Sequence, residues 1–403
     1  AALCLANQGF KVNLVEKEPE LGGMIGHLYK LCPGMCDASE ALREIADTVK
    51  SNKNINVLTS AVVEDVKGFI GNFEVGVRKG GERTEFKVGT IIVAIGAENF
   101  EPTGMYGYKL YNNVITQLDL ERLLKLGELK KIDKVVMIQC VGAREEKGRT
   151  YCSRICCSVA IKNAILIKEL YPEAEVYIVF RDLQTYGEEY EEFYLDARKR
   201  FIHFIKYIPE KPPEVTSNPD GKLKVKVYDA FFGEEIKIES DLVVLSTPLV
   251  PREDAEALSK VLKVPLGPDG FFFEAHVKLR PIDFSTDGIY ICGAAHSPKS
   301  IAESISQALG TASRAAIPMA VKRLTAEAIT AVVDENLCSG CGTCVRICPY
   351  GAIEKDGRGI ARVTAVVCKG CGTCAASCPE RAITMRHFTN EQVIAQASAA
   401  LRR

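Results

Sequence analysis

An α/β chain of two βαβ-built domains, followed by a small cysteine-bound α+β module, is the architecture this sequence predicts. Three observations carry it. The amino end reads helix, glycine, strand, acid; the middle holds a second strand–helix–strand unit; and residues 338–379 contain the run C-x2-C-x2-C-x3-C-P twice.

The first segment, Ala1-Ala2-Leu3-Cys4-Leu5-Ala6-Asn7-Gln8-Gly9, reads as the middle of a helix stopped by a glycine. It has no initiating Met, signal peptide or cap, so the natural protein is expected to begin upstream. Cys4 reads as a helix-face residue. Lys11-Val12-Asn13-Leu14-Val15-Glu16 is then a short strand ending in an acid. That order is the second half of a dinucleotide-binding unit, with Glu16 placed to accept from an adenosine ribose. The glycine-rich turn that should precede it would lie before residue 1, and a strand-terminal Glu alone is equally a solvated strand end. Gly22 and Gly23 let backbone approach a cofactor closely. Residues 89–96 predict a buried strand closing on Gly96, and 287–297 a strand that passes Cys292 and Gly293. A helix from about Lys299 to Ala316 follows. Its amino terminus offers free N–H groups to a pyrophosphate or flavin carbonyl. His296 and Lys299 stand where they could hydrogen-bond a flavin, although Lys299 is equally a solvated helix-start residue.

Between these pieces lies the second unit. Lys134–Gln139 and 176–180 read as strands, with a helix from Cys156 to Leu170 and a closing strand over 241–248. The phosphate loop expected after Gln139 has lost most of its glycines. Four thiols, Cys140, Cys152, Cys156 and Cys157, stand in their place. They are either buried core thiols or ligands of a cluster. Four is the number a 4Fe–4S cubane needs, and a helix start at Cys156 should favour thiolate. Residues 317–335 read as a helical linker, and the tail after Phe388 as an amphipathic helix.

In the doubled run, each cysteine of Cys368, Cys371, Cys374 and Cys378 follows its counterpart in Cys338, Cys341, Cys344 and Cys348 by thirty positions. Pro349 and Pro379 close the copies. This is the bacterial ferredoxin signature, in which three cysteines hold one 4Fe–4S cluster and the fourth reaches to the other. Zinc also takes four thiolates, but it requires no such doubled and swapped spacing. Cys338, Cys341, Cys344 and Cys378 are therefore expected to hold one cluster, and Cys368, Cys371, Cys374 and Cys348 the second.

The bulk composition excludes several partner classes. The 403 residues have a net charge of −1 with both signs mixed, which argues against nucleic acid or an anionic membrane as partner. No apolar run approaches the roughly twenty residues of a membrane span. Sixteen cysteines at ligand spacings point to a reducing cytoplasm and an anaerobic setting.

Taken in order, the flanking segments resemble the FAD domain of thioredoxin-reductase-like flavoproteins with a second domain inserted. The predicted class is thus an α/β, thioredoxin-reductase-like flavoprotein of two dinucleotide-binding domains with a carboxy-terminal α+β ferredoxin domain. Its expected boundaries are 1–105 and 251–325 for the two parts of the FAD domain, the first lacking its phosphate loop. The inserted domain is 106–250, the ferredoxin domain 330–387 and the helical tail 388–403.

Cys140-Val141-Gly142-Ala143-Arg144 with Tyr151-Cys152-Ser153-Arg154-Ile155-Cys156-Cys157 is similar to a motif of the A-type subunits of heterodisulfide reductase. So are residues 186–194, Gly270–His276 through Leu279-Arg280-Pro281, and Gly293–Ser304. The resemblance covers essentially the whole chain. It implies FAD, and a third 4Fe–4S cluster on Cys140, Cys152, Cys156 and Cys157 close to it. It also implies flavin-based bifurcation, with electron pairs arriving from a hydrogenase or formate dehydrogenase partner. One electron then goes to ferredoxin and the other to a heterodisulfide-reducing partner, among B- and C-type subunits of a hetero-oligomer whose dimeric form stays open. Cys32-Pro33-Gly34-Met35-Cys36 departs from the family pattern and resembles the flavoprotein subunits of quinone-interacting oxidoreductases. A C-x3-C pair supplies two ligands, so Cys32 and Cys36 are not expected to hold a cluster unaided. An NAD(P)H oxidoreductase with a ferredoxin tail is a further alternative, opposed by the lost glycines. No residue reads as a general acid, general base or nucleophile.

Overall fold

The computed structural model describes residues 1–321 and 328–401. Helix α1 (Ala2–Asn7) turns at Gly9, where φ is 90°, into β1 (Val12–Val15). Helix α2 (Ala38–Ser51) is capped by Asp37, whose carboxylate accepts from the N–H groups of Ser39 and Glu40. Strand β2 (Ile55–Leu58) then returns parallel to β1, with Val12 opposite Ile55. An antiparallel meander follows: β3 (Ala61–Phe69), β4 (Asn72–Lys79) and β5 (Glu82–Val88). Strand β6 (Ile91–Val93) is shorter than the run 89–96 suggests, and β7 (Glu98–Asn99) leads out of the domain.

The inserted domain comprises β8 (Val114–Thr116), α3 (Gln117–Leu126), β9 (Lys134–Ile138), α4 (Cys156–Leu170), β10 (Glu175–Phe180), α5 (Glu188–Lys199) and β11 (His203–Lys206). The hairpins β12 (Glu214–Ser217), β13 (Leu223–Asp229) and β14 (Glu234–Ser240) precede its last strand, β15 (Leu242–Leu245). The parallel sheet has order β11-β10-β9-β15-β8. Central β9 is covered on both faces, so Val135, Val136, Met137 and Ile138 are all fully buried. Helices α3 and α4 pack on one face with Val135 and Met137. Val136 and Ile138 pack on the other against the β12–β14 meander.

The chain returns through β16 (Leu249–Val250), antiparallel to β7, so the two crossings form one paired connection. Helix α6 (Ala255–Leu262), β17 (Ile289–Ile291) and α7 (Ile301–Ala320) complete the first domain, with β17 parallel to β6. The sequence places α7 at 299–316, but Ser300 caps it through a reciprocal box with Glu303, which sets the start at Ile301.

The linker expectation for 317–335 is corrected. Residues up to Ala320 belong to α7, 322–327 lie outside the described residues, and β18 (Ala331–Val333) already belongs to the last module. That module continues with α8 (Thr343–Ile347), β19 (Ile353–Lys355), β20 (Ala361–Val363), α9 (Thr373–Ala376) and β21 (Ile383–Met385). Strand β18 pairs with β21 and β19 with β20, so the sequence repeat becomes a two-fold repeat of strands and short helices. Helix α10 (Asn390–Ala400) ends the chain with no buried residue. Among the described residues, no helix is long and apolar enough to cross a membrane.

Candidate redox centres

The ferredoxin-like module contains two cavities, each lined by one swapped cysteine set. Cys338, Cys341, Cys344 and Cys378 line one. Cys348, Cys368, Cys371 and Cys374 line the other. Glycines shape the loops, because Gly340 and Gly370 have φ of 68° and 65°. A Cβ at Gly370 would meet the carbonyl oxygen of Ile329 at 2.5 Å. Backbone N–H groups already point at sulfur, from Ala331 to Cys368 (3.4 Å) and from Ala352 to Cys348 (3.3 Å). The backbone N–H of Thr343 holds the Cys341 thiol below its ordinary pKa, and the Thr373 hydroxyl does the same for Cys371. Burial pushes Cys344 and Cys374 up.

Cys140, Cys152, Cys156 and Cys157 also converge, above the carboxyl end of β9. Cys157, Cys152 and Cys140 each act electrostatically on the Cys156 thiol. The loop that gathers them is held in left-handed conformations, with φ of 62° at Cys140, 55° at Arg144 and 63° at Arg154. None of these is glycine, and such conformations cluster where a site demands them. The expected helix-start lowering of thiol pKa at Cys156 is not met. Burial dominates instead, raising Cys156 well above its usual value and Cys157 to about 12. Both sulfurs lie near carbonyls, Cys156 Sγ 3.5 Å from Thr247 O and Cys157 Sγ 3.8 Å from Asp182 O.

Among the described residues, no three Cys, His, Asp or Glu side chains converge tightly enough for a single metal ion. A cubane presents a separate iron to each thiolate, so its ligands stand further apart than those of one ion.

On the flavin side, Glu16 follows β1 and its side chain accepts from the N–H of Glu18 (3.0 Å). Gly23 and Gly96 have φ of 50° and 76°, with no atom within 4 Å of where a Cβ would sit. Gly22 is tighter, since a Cβ there would meet Leu42 at 2.5 Å. The open backbones of Gly23, at the start of a short 3-10 turn, and Gly96, just past β6, fit a group that packs against main chain. Gly293 N–H donates to Gln307 Oε1 (2.8 Å), which orients that amide so that its Nε2 donates to His296 Nδ1 (2.8 Å). His296 Nε2–H therefore donates to Glu274 Oε2 (2.8 Å). With both ring nitrogens committed inside the protein, His296 braces Gly293 and is not free to donate directly to a flavin. Lys299 Nζ donates to Ser297 Oγ (2.6 Å) and precedes the helix.

Burial lowers the His296 pKa, with Glu274 opposing and Lys299 reinforcing. A histidine with a lowered folded pKa destabilises as pH falls through its unfolded value of about 6.5, because the unfolded chain takes the proton first. Denaturation midpoints measured either side of that pH should therefore drop in acid. His296→Gln should show the smaller drop; an equal drop would rule this histidine out as a source of the acid sensitivity.

Several site residues escape the sequence patterns. Arg154, between two of the cysteines, reaches out of the inserted domain: Nη1 donates to Glu303 Oε1 (2.8 Å) and Nη2 to Pro298 O (2.7 Å). Lys162 on α4 forms an ion pair with Glu121 on α3, both side chains 1% exposed. The same ammonium donates to Lys30 O (2.8 Å), and Tyr29 N–H donates to Glu121 Oε2 (2.9 Å). The pair thus clasps the segment carrying Cys32 and Cys36. Cys32 is half-buried with its pKa raised by burial and opposed by Lys162, while Cys36 is exposed. Lys369, inside the second cysteine run, pairs with Asp287 beside β17 and ties the last module to the first domain. Arg154 and Lys369 have a local signal, their place among the cysteines; Lys162 and Glu121 have none.

Residues 331–385 match the family described as the 4Fe-4S dicluster domain. The chain is 40% identical to the iron-sulfur A-type subunit of CoB--CoM heterodisulfide reductase from Methanocaldococcus jannaschii, covering 98% of this chain and 74% of that protein. It is 37% identical to the A-type subunit of the H(2)/formate:CoB-CoM heterodisulfide,ferredoxin reductase from Methanococcus maripaludis, covering 100% and 75%. The first match spans 489 aligned positions against a 403-residue chain, so that relative carries extra sequence inside the matched span. Two thioredoxin reductases share the fold. That of Lactococcus lactis has TM-score 0.53 at 16% identity, over 79% of this chain and 94% of its own. That of T. acidophilum has TM-score 0.50 at 19% identity, over 79% and 92%.

Proposed function

The chain belongs to the family of heterodisulfide reductase A-type subunits, and from that premise we propose that it is the flavin- and cluster-bearing electron-transfer subunit of a heterodisulfide reductase complex. In it, electron pairs from a hydrogenase or formate dehydrogenase partner are divided between ferredoxin and a heterodisulfide-reducing subunit. The hydrogen- and formate-linked names of its relatives support the donors. The observation that carries the proposal is the bond of Arg154 to Glu303 and Pro298. Through it the four-cysteine loop is held against the helix start on the flavin side.

Each ferredoxin-like cavity would hold one 4Fe–4S cluster on its own cysteine set, and Cys140, Cys152, Cys156 and Cys157 a third. Glu16 would receive the ribose of FAD, and Gly22, Gly23, Gly96 and Gly293 would let main chain pack against it. Lys299 would place positive charge at the flavin edge. When bound, FAD exchanges electrons in pairs or singly and each cluster carries one. This chain's contribution is to hold those groups in sequence. The Lys369–Asp287 pair fixes the cluster site of Cys368 and Cys371 against the flavin domain. In the nucleotide-loop position, four thiols and the left-handed, non-glycine Cys140, Arg144 and Arg154 stand where a glycine-rich phosphate loop would be, which speaks against a nicotinamide there. The Cys32–Cys36 segment favours one second reading, a flavoprotein subunit of a quinone-interacting complex.

Anaerobically reconstituted protein, mixed in a stopped-flow instrument, should keep its flavin absorbance with NADH or NADPH and bleach rapidly with reduced ferredoxin. Rapid bleaching by either nicotinamide would replace the proposal with a pyridine-nucleotide oxidoreductase. Reduction by a quinol and not by ferredoxin would favour the quinone-linked subunit.

A further inference from the structure

Strand β9 ends at Ile138, and the next residue, Gln139, is fully buried immediately before Cys140. Its backbone is satisfied, since its N–H donates to Val179 O (2.9 Å) and its carbonyl accepts from the Tyr207 hydroxyl (3.0 Å). Its side chain is not. Among the described residues, neither Gln139 Nε2 nor Gln139 Oε1 has a hydrogen-bond partner. A buried amide without partners is costly, and native proteins rarely leave one so.

The direction of that side chain follows from strand alternation. Val135 and Met137 face α3 and α4, and Gln139, the residue before Cys140, continues their face. Neighbouring amides there are occupied. Gln117 Nε2 donates to Ser246 Oγ (3.1 Å) and Asn163 Nδ2 donates to Gln117 Oε1 (2.8 Å). Asn163 Oδ1 is the other bare atom of this layer.

We propose that the Gln139 side-chain N–H donates to the sulfur of a cluster held by Cys140, Cys152, Cys156 and Cys157, raising its reduction potential. This rests on the reading that those four cysteines hold a cluster. Gln139 would be a tuning residue and not a ligand. A donor to sulfur favours the reduced, more negative cluster, and such bonds are among the factors that set cluster potentials.

The test uses the full chain, reconstituted anaerobically, with Gln139→Leu and, in case that variant folds poorly, the unbranched Gln139→Met. Iron and sulfide content and EPR-monitored redox titration are read on each, with the two ferredoxin-like clusters as internal references. The expected result is a full third cluster in both variants, with its reduction equilibrium shifted at least tenfold toward the oxidised form, about 59 mV for a one-electron couple. The reference clusters should not move. A third cluster with unchanged potential in a folded variant would overturn the inference and leave the cluster assignment standing, the amide then being served by Asn163 or water. Wild-type protein with iron for only two clusters would overturn the assignment itself, and the inference with it.

Discussion

Lys162→Met is expected to destabilise the protein by about 3–5 kcal/mol, because removing one member of a buried ion pair leaves the other charge uncompensated. Glu121 has no route to water, both side chains being 1% exposed. One of its carboxylate oxygens would keep the Tyr29 N–H and the other would face the methionine. The ammonium also holds Lys30 O, so the same change loosens the segment 28–37 from the inserted domain. Two readouts follow. The unfolding midpoint by far-UV circular dichroism should fall, and amide exchange across 28–37 should rise more than in the ferredoxin-like module. The double variant Lys162→Met/Glu121→Gln should recover most of the loss, since it removes the charge but keeps an acceptor for Tyr29. Such coupling is what a double-mutant cycle isolates. A single variant within about 1 kcal/mol of wild type would mean that Glu121 is served elsewhere.

The elements legible in the sequence are those whose signal is local. Helix α4 begins at Cys156 and ends at Leu170 as its apolar run indicates, β9 is buried from Val135 to Ile138, and β10 buries Val176, Ile178 and Val179. The swapped cysteine sets follow from spacing because the repeat itself encodes the crossing. What spacing cannot encode is contact between distant segments. Glu121 and Lys162 read as ordinary helix charges, and only the packing of α3 on α4 turns them inward. His296 stands in a glycine-rich stretch that suggests a ligand, yet Glu274 and Gln307, 22 and 11 positions away, take both its nitrogens. The antiparallel meanders β3–β5 and β12–β14 carry no motif, and a search led by chemistry passes over them. The Cys156 thiol departs from its expected pKa because a helix start is a local feature while burial belongs to the whole domain.

Cys378→Ser should empty the cluster site of Cys338, Cys341 and Cys344, far upstream in the chain, and spare the site of its own neighbours Cys371 and Cys374. Cys348→Ser should do the reverse. The cause is geometric, since Cys378 lines the cavity of the first run and Cys348 that of the second. Local ligation would give the opposite pairing, and EPR of each variant, beside iron content reduced by about a third, distinguishes the two. The effect should reach the fold. This module's core is Cys344, Cys368 and Cys374 with small residues such as Ala331, Ala352 and Ala361, and few large side chains. A core so poor in apolar volume draws its stability from what its thiols bind, and for such modules metal binding energy is folding energy. The paired strands β18–β21 and β19–β20 each join one copy of the repeat to the other. Loss of one cluster should therefore lower the thermal stability of both halves, while the inserted domain, with its own apolar core, keeps its midpoint. If Cys378→Ser instead removes the cluster of Cys368, Cys371 and Cys374, the swapped assignment is wrong, and with it the order in which electrons would cross the module.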